Sequence, residues 1–253
     1  MPLKFNTALG QINPFDLKEN KVHIWGVESN KMDALADQFK KTLSDDERKR
    51  AEHFYFDYLR KSFIISHGAL RTILSYYIST KPEQVKFRFG EHGKPYLDWD
   101  SPLDVRFNIT HSRELTLIAI TLGRELGIDL EAIRPIRDLE RLAERFFSPD
   151  ENSTLQTVPV HQRLEAFFNC WTLKEAYIKA TGEGFSRPFR TFDVAFLPRD
   201  SARIVNVAGS PKESERWSLI EFSPAGGYIA ALAIEASDST EIELRISEWS
   251  KNI

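Results

Sequence analysis

Apolar positions along the chain switch between a two-residue beat and a three-to-four-residue beat, and the switches predict the elements. Val22-His-Ile-Trp-Gly-Val27 alternates as an early strand. Ser44-Asp-Asp-Glu47 has the serine–glutamate spacing of a capping box. The helix it opens carries Ala51, Phe54, Tyr55 and Tyr58 at helical spacing. A second helical run holds Phe63, Ile64, Leu70, Ile73, Leu74 and Tyr77 and ends at Lys81-Pro82. Val85, Phe87 and Phe89 alternate with Lys86 and Arg88 as a half-buried strand, and Gly90 to Pro95 is a turn. Val105, Phe107 and Ile109 alternate again, followed by an apolar strand from Leu115 to Thr121.

Beyond a short turn at Gly123 to Leu126 lies a strand around Asp129. Arg137 to Phe147 is a helix stopped by Ser148-Pro149, and His161 to Thr181 is the longest helix of the second half, with glycines at 182 and 184 to end it. Strands follow at 192–197, 217–222 and 228–235, with a polar loop from Asp200 to Glu215. Strand, helices and strands thus occur twice over. That order predicts an α+β protein of two similar lobes, 1–122 and 123–253.

Composition narrows the class. A chain of 253 residues can bury a real core, and its net charge of −3 supplies no global field for nucleic acid or an anionic membrane. The single cysteine, Cys170, excludes a disulfide framework within one chain. No basic start followed by an apolar run marks a signal peptide, and no run is long enough to span a bilayer. A cytoplasmic soluble protein is the expectation.

The chemistry is concentrated in two stretches. In Gly127-Ile-Asp-Leu-Glu131, strand alternation places Asp129 and Glu131 on one face, where two carboxylates repel unless a cation or shared proton lies between them. Trp171-Thr-Leu-Lys-Glu-Ala-Tyr-Ile-Lys179 adds Glu175 with Lys174 and Lys179 on a helix rich in aromatic residues. Three carboxylates form an all-oxygen donor set, suited to Mg²⁺ or Mn²⁺ rather than zinc. The plainer accounts are a solvated strand face and an exposed i,i+4 glutamate–lysine pair worth roughly 0.3–0.5 kcal/mol. In Asn108-Ile-Thr-His-Ser112, Thr110 shares a face with Asn108, and His111 at the strand end could bond a phosphate or serve the structure alone. Arg48, Lys49 and Arg50 with Arg60 and Lys61 make a basic concentration that equally suits a solvated helix face.

The order Gly93-Lys-Pro95, Phe107 to Ser112, Gly127 to Glu131 and Trp171 to Lys179, with the tail Ala180 to Gly184, resembles the 4′-phosphopantetheinyl transferases of the surfactin-synthetase-activating type. The resemblance runs from about Leu43 to Phe196. It departs after the histidine–serine pair, where Arg113-Glu114 stands in place of an early glycine, and it assigns nothing to the first and last twenty residues.

The resemblance implies a pseudo-dimeric fold with the active site at the lobe interface, the N-terminal lobe contributing to coenzyme A binding and the C-terminal lobe carrying the metal and catalytic residues. The implied reaction transfers phosphopantetheine from coenzyme A to a serine of an acyl or peptidyl carrier protein of fatty-acid, polyketide or nonribosomal-peptide synthesis. Asp129, Glu131 and Glu175 would hold Mg²⁺; Glu175 would be the base, directly or through a metal-bound water; Lys174 and Lys179 would face the phosphates. Thr110, His111, Lys94, Pro95, Arg50 and Lys61 match coenzyme-contacting positions. A monomer is implied, with no nucleic-acid or membrane partner. Two rival readings use the same residues: a metal-dependent hydrolase of a small diphosphate, and a non-catalytic module that binds coenzyme A or carrier protein.

Overall fold

The computed structural model describes residues 13–100, 103–197, 201–210, 212–235 and 243–249. In chain order the elements are β1 (Lys21–Glu28), α1 (Ala36–Thr42), α2 (Asp45–Glu52), α3 (Asp57–Tyr77), β2 (Phe87–Phe89), β3 (Pro95–Leu97), β4 (Val105–Ser112), β5 (Leu115–Leu122), β6 (Leu126–Ala132), α4 (Leu139–Phe146), α5 (Pro149–Thr157), α6 (Arg163–Thr181), β7 (Phe192–Ala195), β8 (Arg203–Val207), β9 (Trp217–Phe222), β10 (Tyr228–Glu235) and β11 (Glu243–Glu248), joined by short 3₁₀ turns. The architecture is α+β. No helix among the described residues is long and apolar enough to cross a membrane.

The chain divides into two compact units. The first holds 13–88, 95–123 and 243–249; the second holds 89–94 and 124–235. Two short stretches therefore cross the Leu122–Gly123 junction, one in each direction.

In the first unit the sheet order is β11-β1-β5-β4, with β11 parallel to β1 and the remaining pairs antiparallel. The long helix α3 covers this sheet because Ile65, Ala69, Ile73 and Leu74 recur on one face and meet Trp25, Val27, Ile118 and Ile120 in a common core. Tyr77, near the end of α3, accepts a hydrogen bond from Trp25 Nε1 at 2.9 Å and stands 2.8 Å from His23 Nδ1.

The second unit repeats the plan. Its sheet is β6-β10-β9, fully antiparallel, and α6 lies across it. Phe167, Leu173, Ala176, Tyr177 and Ala180 meet Ala231, Ala233 and Leu219 in the core. β7 and β8 form a separate pair.

Each unit also contains the same polar device. Ser44 opens α2 with a capping box to Glu47, and Ser148 opens α5 with a capping box to Glu151. In the first unit Arg71 of α3 donates to Glu47 at 2.6 Å, across 24 residues. In the second, Lys174 of α6 donates to Glu151 at 2.5 Å, across 23 residues. The spacing is an internal correspondence that the hydrophobic pattern alone does not display.

The structure changes several expectations. α2 ends at Glu52, so Tyr55 lies between helices and is 89% exposed, while Tyr58 belongs to α3. Val85 precedes β2 rather than belonging to it. Ser148-Pro149 stops α4 and also starts α5, because serine caps the new helix and proline suits its first turn. Within the polar 200–215 stretch, of which 200 and 211 lie outside the described residues, Arg203–Val207 forms β8, whose buried Ile204 and Val207 carry the strand. The last twenty residues include β11, an edge strand on β1.

Candidate active site

The site is built where α6 rests on β6. Gly127 makes that contact possible: a Cβ there would collide with Ala176 O and Ala180 N and lie 2.8 Å from Lys179 C. Helix backbone thus sits directly on strand backbone, and only glycine permits the approach.

On β6, Asp129 and Glu131 share a face, as alternation requires. Asp129 is buried at 5% exposure, and Glu131 is partly open. Along α6 from Trp171 to Ala180, Trp171, Glu175 and Lys179, four residues apart, are the partly exposed positions and the rest are buried. They form one stripe along the helix. Lys179 Nζ donates to Asp129 Oδ1 at 2.6 Å and to Ile128 O at 3.3 Å. Arg134 NH1 donates to Glu131 Oε2 at 2.9 Å, and its guanidinium stands 5.5 Å from the Phe168 ring centroid.

Glu175 has the most unusual electrostatics of the three acids. Burial and then the nearby Asp129 charge push its carboxyl up to about 7; Lys179 opposes the shift and Glu131 adds to it. A carboxyl held there is poised to exchange a proton near neutral pH. The three acids therefore sense one another. Their oxygen chemistry suits a hard divalent cation. Among the described residues, however, no three metal-capable side chains stand close enough to form a ready cage. Lys179 and Arg134 instead supply positive charge to Asp129 and Glu131.

Two expected coenzyme contacts are directed elsewhere. Lys174 is fully buried: its ammonium donates to Glu151 Oε1 and, at 2.6 Å, to Phe192 O, and lies 4.2 Å from the Phe192 ring centroid. It does not face a phosphate. A helix turn of about 100° per residue sends Lys174 into the core while Glu175 faces the carboxylates. Lys94 is also buried, donating to Glu125 Oε2 at 2.6 Å, Ala180 O at 2.7 Å and Leu126 O at 3.1 Å. A cation suits that place because the C-terminal end of α6 presents carbonyl oxygens.

The remaining candidates belong to the first unit. Asn108 and Thr110 are buried on one face of β4, and His111 is exposed at the strand end. Pro95 begins β3. Arg50, at the end of α2, lies over the Phe63 ring at 5.3 Å. Lys61 stands 3.7 Å from Asp57, and Arg48, Lys49 and Arg60 have similar carboxylate neighbours on their own helices. The basic concentration is therefore largely balanced locally. Sequence reasoning misses Glu151, Arg134 and Glu125, the partners of these groups. The serine–glutamate spacing at Ser148-Pro-Asp-Glu151 is the signal available for the first.

The chain belongs to the 4′-phosphopantetheinyl transferase superfamily. The family's model matches residues 125–233, and the model of the 4′-phosphopantetheinyl transferase N-terminal region matches residues 31–122. The chain is 38% identical to the 4′-phosphopantetheinyl transferase HetI of Nostoc sp. over 219 residues, covering 86% of this chain and 89% of the relative. It is 32% identical over 158 residues to a 4′-phosphopantetheinyl transferase of Bacillus subtilis, covering 62% of this chain and 68% of that one. Among solved structures, the holo-[acyl-carrier-protein] synthase of Thermotoga maritima aligns with 45% of this chain and 63% of its own, at 19% identity and a TM-score of 0.36.

Proposed function

We propose that this chain transfers the 4′-phosphopantetheine arm of coenzyme A to a serine hydroxyl of an apo acyl or peptidyl carrier protein. The products are the holo-carrier and adenosine 3′,5′-bisphosphate. Family membership supplies the reaction class. The observation that carries the mechanism is the placement of Glu175, half-buried on α6 and close enough to Asp129 and Glu131 to feel both charges.

In this reading Glu175 accepts the proton of the serine hydroxyl as its oxygen attacks phosphorus. The raised value belongs to the metal-free site; a cation held by the three carboxylates would lower it and keep Glu175 ionised, as a proton acceptor must be. Lys179 holds Asp129 in place and keeps a positive charge where the leaving bisphosphate gains negative charge. Asp129, Glu131 and Glu175 are the residues that would hold Mg²⁺, or Mn²⁺ in its place. The ion would neutralise diphosphate charge and orient its oxygens. Arg50, Lys61, Pro95, Thr110 and His111 are the coenzyme contacts of this reading, with His111 directed to the 3′-phosphate. Lys94 and Lys174 shape the second unit from inside. The enzyme works as a monomer in the cytoplasm, where coenzyme A and carrier proteins meet.

The deciding experiment is the intact mass of an apo acyl or peptidyl carrier protein after incubation with this protein, coenzyme A and Mg²⁺. A gain of one phosphopantetheine, abolished by EDTA, is the expected outcome. Cleavage of coenzyme A with an unmodified carrier would indicate the hydrolase. An intact coenzyme and an unmodified carrier would indicate a binding module.

A further inference from the structure

We infer that the buried Lys174–Glu151 pair is the positioning device for Glu175. The inference rests on the transferase reading above and deepens it.

The pair is enclosed: the Lys174 side chain is 0% exposed and that of Glu151 is 2% exposed. Every charge in it has a direction. Lys174 Nζ donates to Glu151 Oε1 at 2.5 Å and to Phe192 O at 2.6 Å. Glu151 Oε1 also accepts from Val194 N at 2.9 Å, and Oε2 accepts from Ser148 N at 2.9 Å. One carboxylate therefore ties α6 to the start of α5 and, with Lys174, to two backbone groups of β7. Desolvating two ions costs free energy that attraction rarely more than recovers, and apolar pairs of the same volume often serve stability equally well. What an ion pair of this kind adds is direction: these bonds fix where the Lys174 side chain lies.

Direction at Lys174 becomes direction at Glu175, the next residue on a rigid helix. A rotation of α6 about its axis, or a slide along it, would carry Glu175 and Lys179 away from β6 together. Gly127 sets how closely helix and strand approach, but its hydrogen atoms offer no grip against rotation. Lys94 holds the carbonyl of Ala180 at the helix end. The Lys174–Glu151 pair acts about 100° round the helix from Glu175, one residue from the proposed base. Glu47 and Arg71 tie α3 in the first unit by the same construction, which identifies the pair as a device for fixing a long helix. In the second unit that helix bears the chemistry.

Two variants test this. Lys174→Met with Glu151→Gln removes both charges while keeping volume and an acceptor for Val194 N. Glu151→Asp keeps the charges and shortens the tether by one methylene. Each is measured for melting temperature, for kcat and KM with coenzyme A, and for Mn²⁺ affinity in the presence of coenzyme A. The expected result is a folded protein whose kcat falls roughly ten- to a hundredfold, with KM within about threefold of wild type and Mn²⁺ affinity weakened at least about fivefold. A folded variant with kcat and Mn²⁺ affinity within about twofold of wild type overturns the proposal. If the double variant does not fold, Glu151→Asp decides alone. A wild type that fails to modify any carrier overturns the transferase reading instead, and the Mn²⁺ series still decides the positioning role.

Discussion

Lys179 and Asp129 meet at 2.6 Å across the contact of α6 with β6. The aspartate is nearly buried and the lysine is under one-third exposed, so the bond joins helix to strand at the edge of the core. Replacing Asp129 by Asn keeps the shape and removes the charge. The Mg²⁺ concentration for half-maximal transfer is expected to rise on the order of tenfold or more. A titration of holo-carrier formation against Mg²⁺ checks this, and an unchanged midpoint would remove Asp129 from the ligand set.

Glu175→Gln separates catalysis from binding. Loss of a general base is worth roughly 10²–10⁴ in rate. Transfer is expected to fall by that amount while coenzyme A still binds, as measured by calorimetry alongside the carrier mass. Loss of binding in equal measure would make Glu175 a structural or coenzyme-holding group.

Gly127→Ala is expected to cost about 3 kcal/mol or more, because a Cβ meets helix backbone rather than a side chain that could swing aside. Thermal unfolding of the variant measures it. The same mutation at Gly226, where an added Cβ would have nothing within 4 Å, is expected to have a small effect.

His23 gives the first unit a pH dependence. Burial is the main cause that pushes its imidazole down to about 4 from an ordinary value of 6.5. Between those values the unfolded chain binds a proton that the folded chain excludes. Stability is therefore complete above about pH 6.5 and falls as pH drops toward 4, by up to about 3 kcal/mol. Urea unfolding at about pH 7 and about pH 5 tests the slope. His23→Gln, which keeps a polar partner for Tyr77, is expected to flatten it.

The site is legible in the sequence where chemistry follows local spacing. Alternation puts Asp129 and Glu131 on one face, and helical spacing puts Glu175 and Lys179 on another. Neither rule shows where a buried lysine ends. Lys174 reads as a phosphate contact because a cation beside acids suggests anion binding, and Lys94 is assigned to the coenzyme only by the resemblance at Gly93-Lys-Pro95. Their actual partners, Glu151 and Glu125, lie 23 and 31 residues away and are brought close only by tertiary packing. For the fold, strong apolar periodicity marks most elements. β8 and β11 escape the pattern because each is short, polar and at a sheet edge, where few apolar residues are needed. Tyr55 reads as helical because three aromatic residues in succession, with Phe54 and Phe56, satisfy any period.

The position of β11 sets an order of events during synthesis. It completes the sheet of the first unit by running parallel to β1, yet its residues follow the whole of the second unit. Trp249, just after it, packs on Phe39 with ring centroids 5.5 Å apart. On the ribosome the unit that begins first is thus the one that finishes last. Until β11 emerges, one edge of β1 lacks its neighbour, and the nascent chain keeps an open strand exposed for as long as the second unit takes to be made.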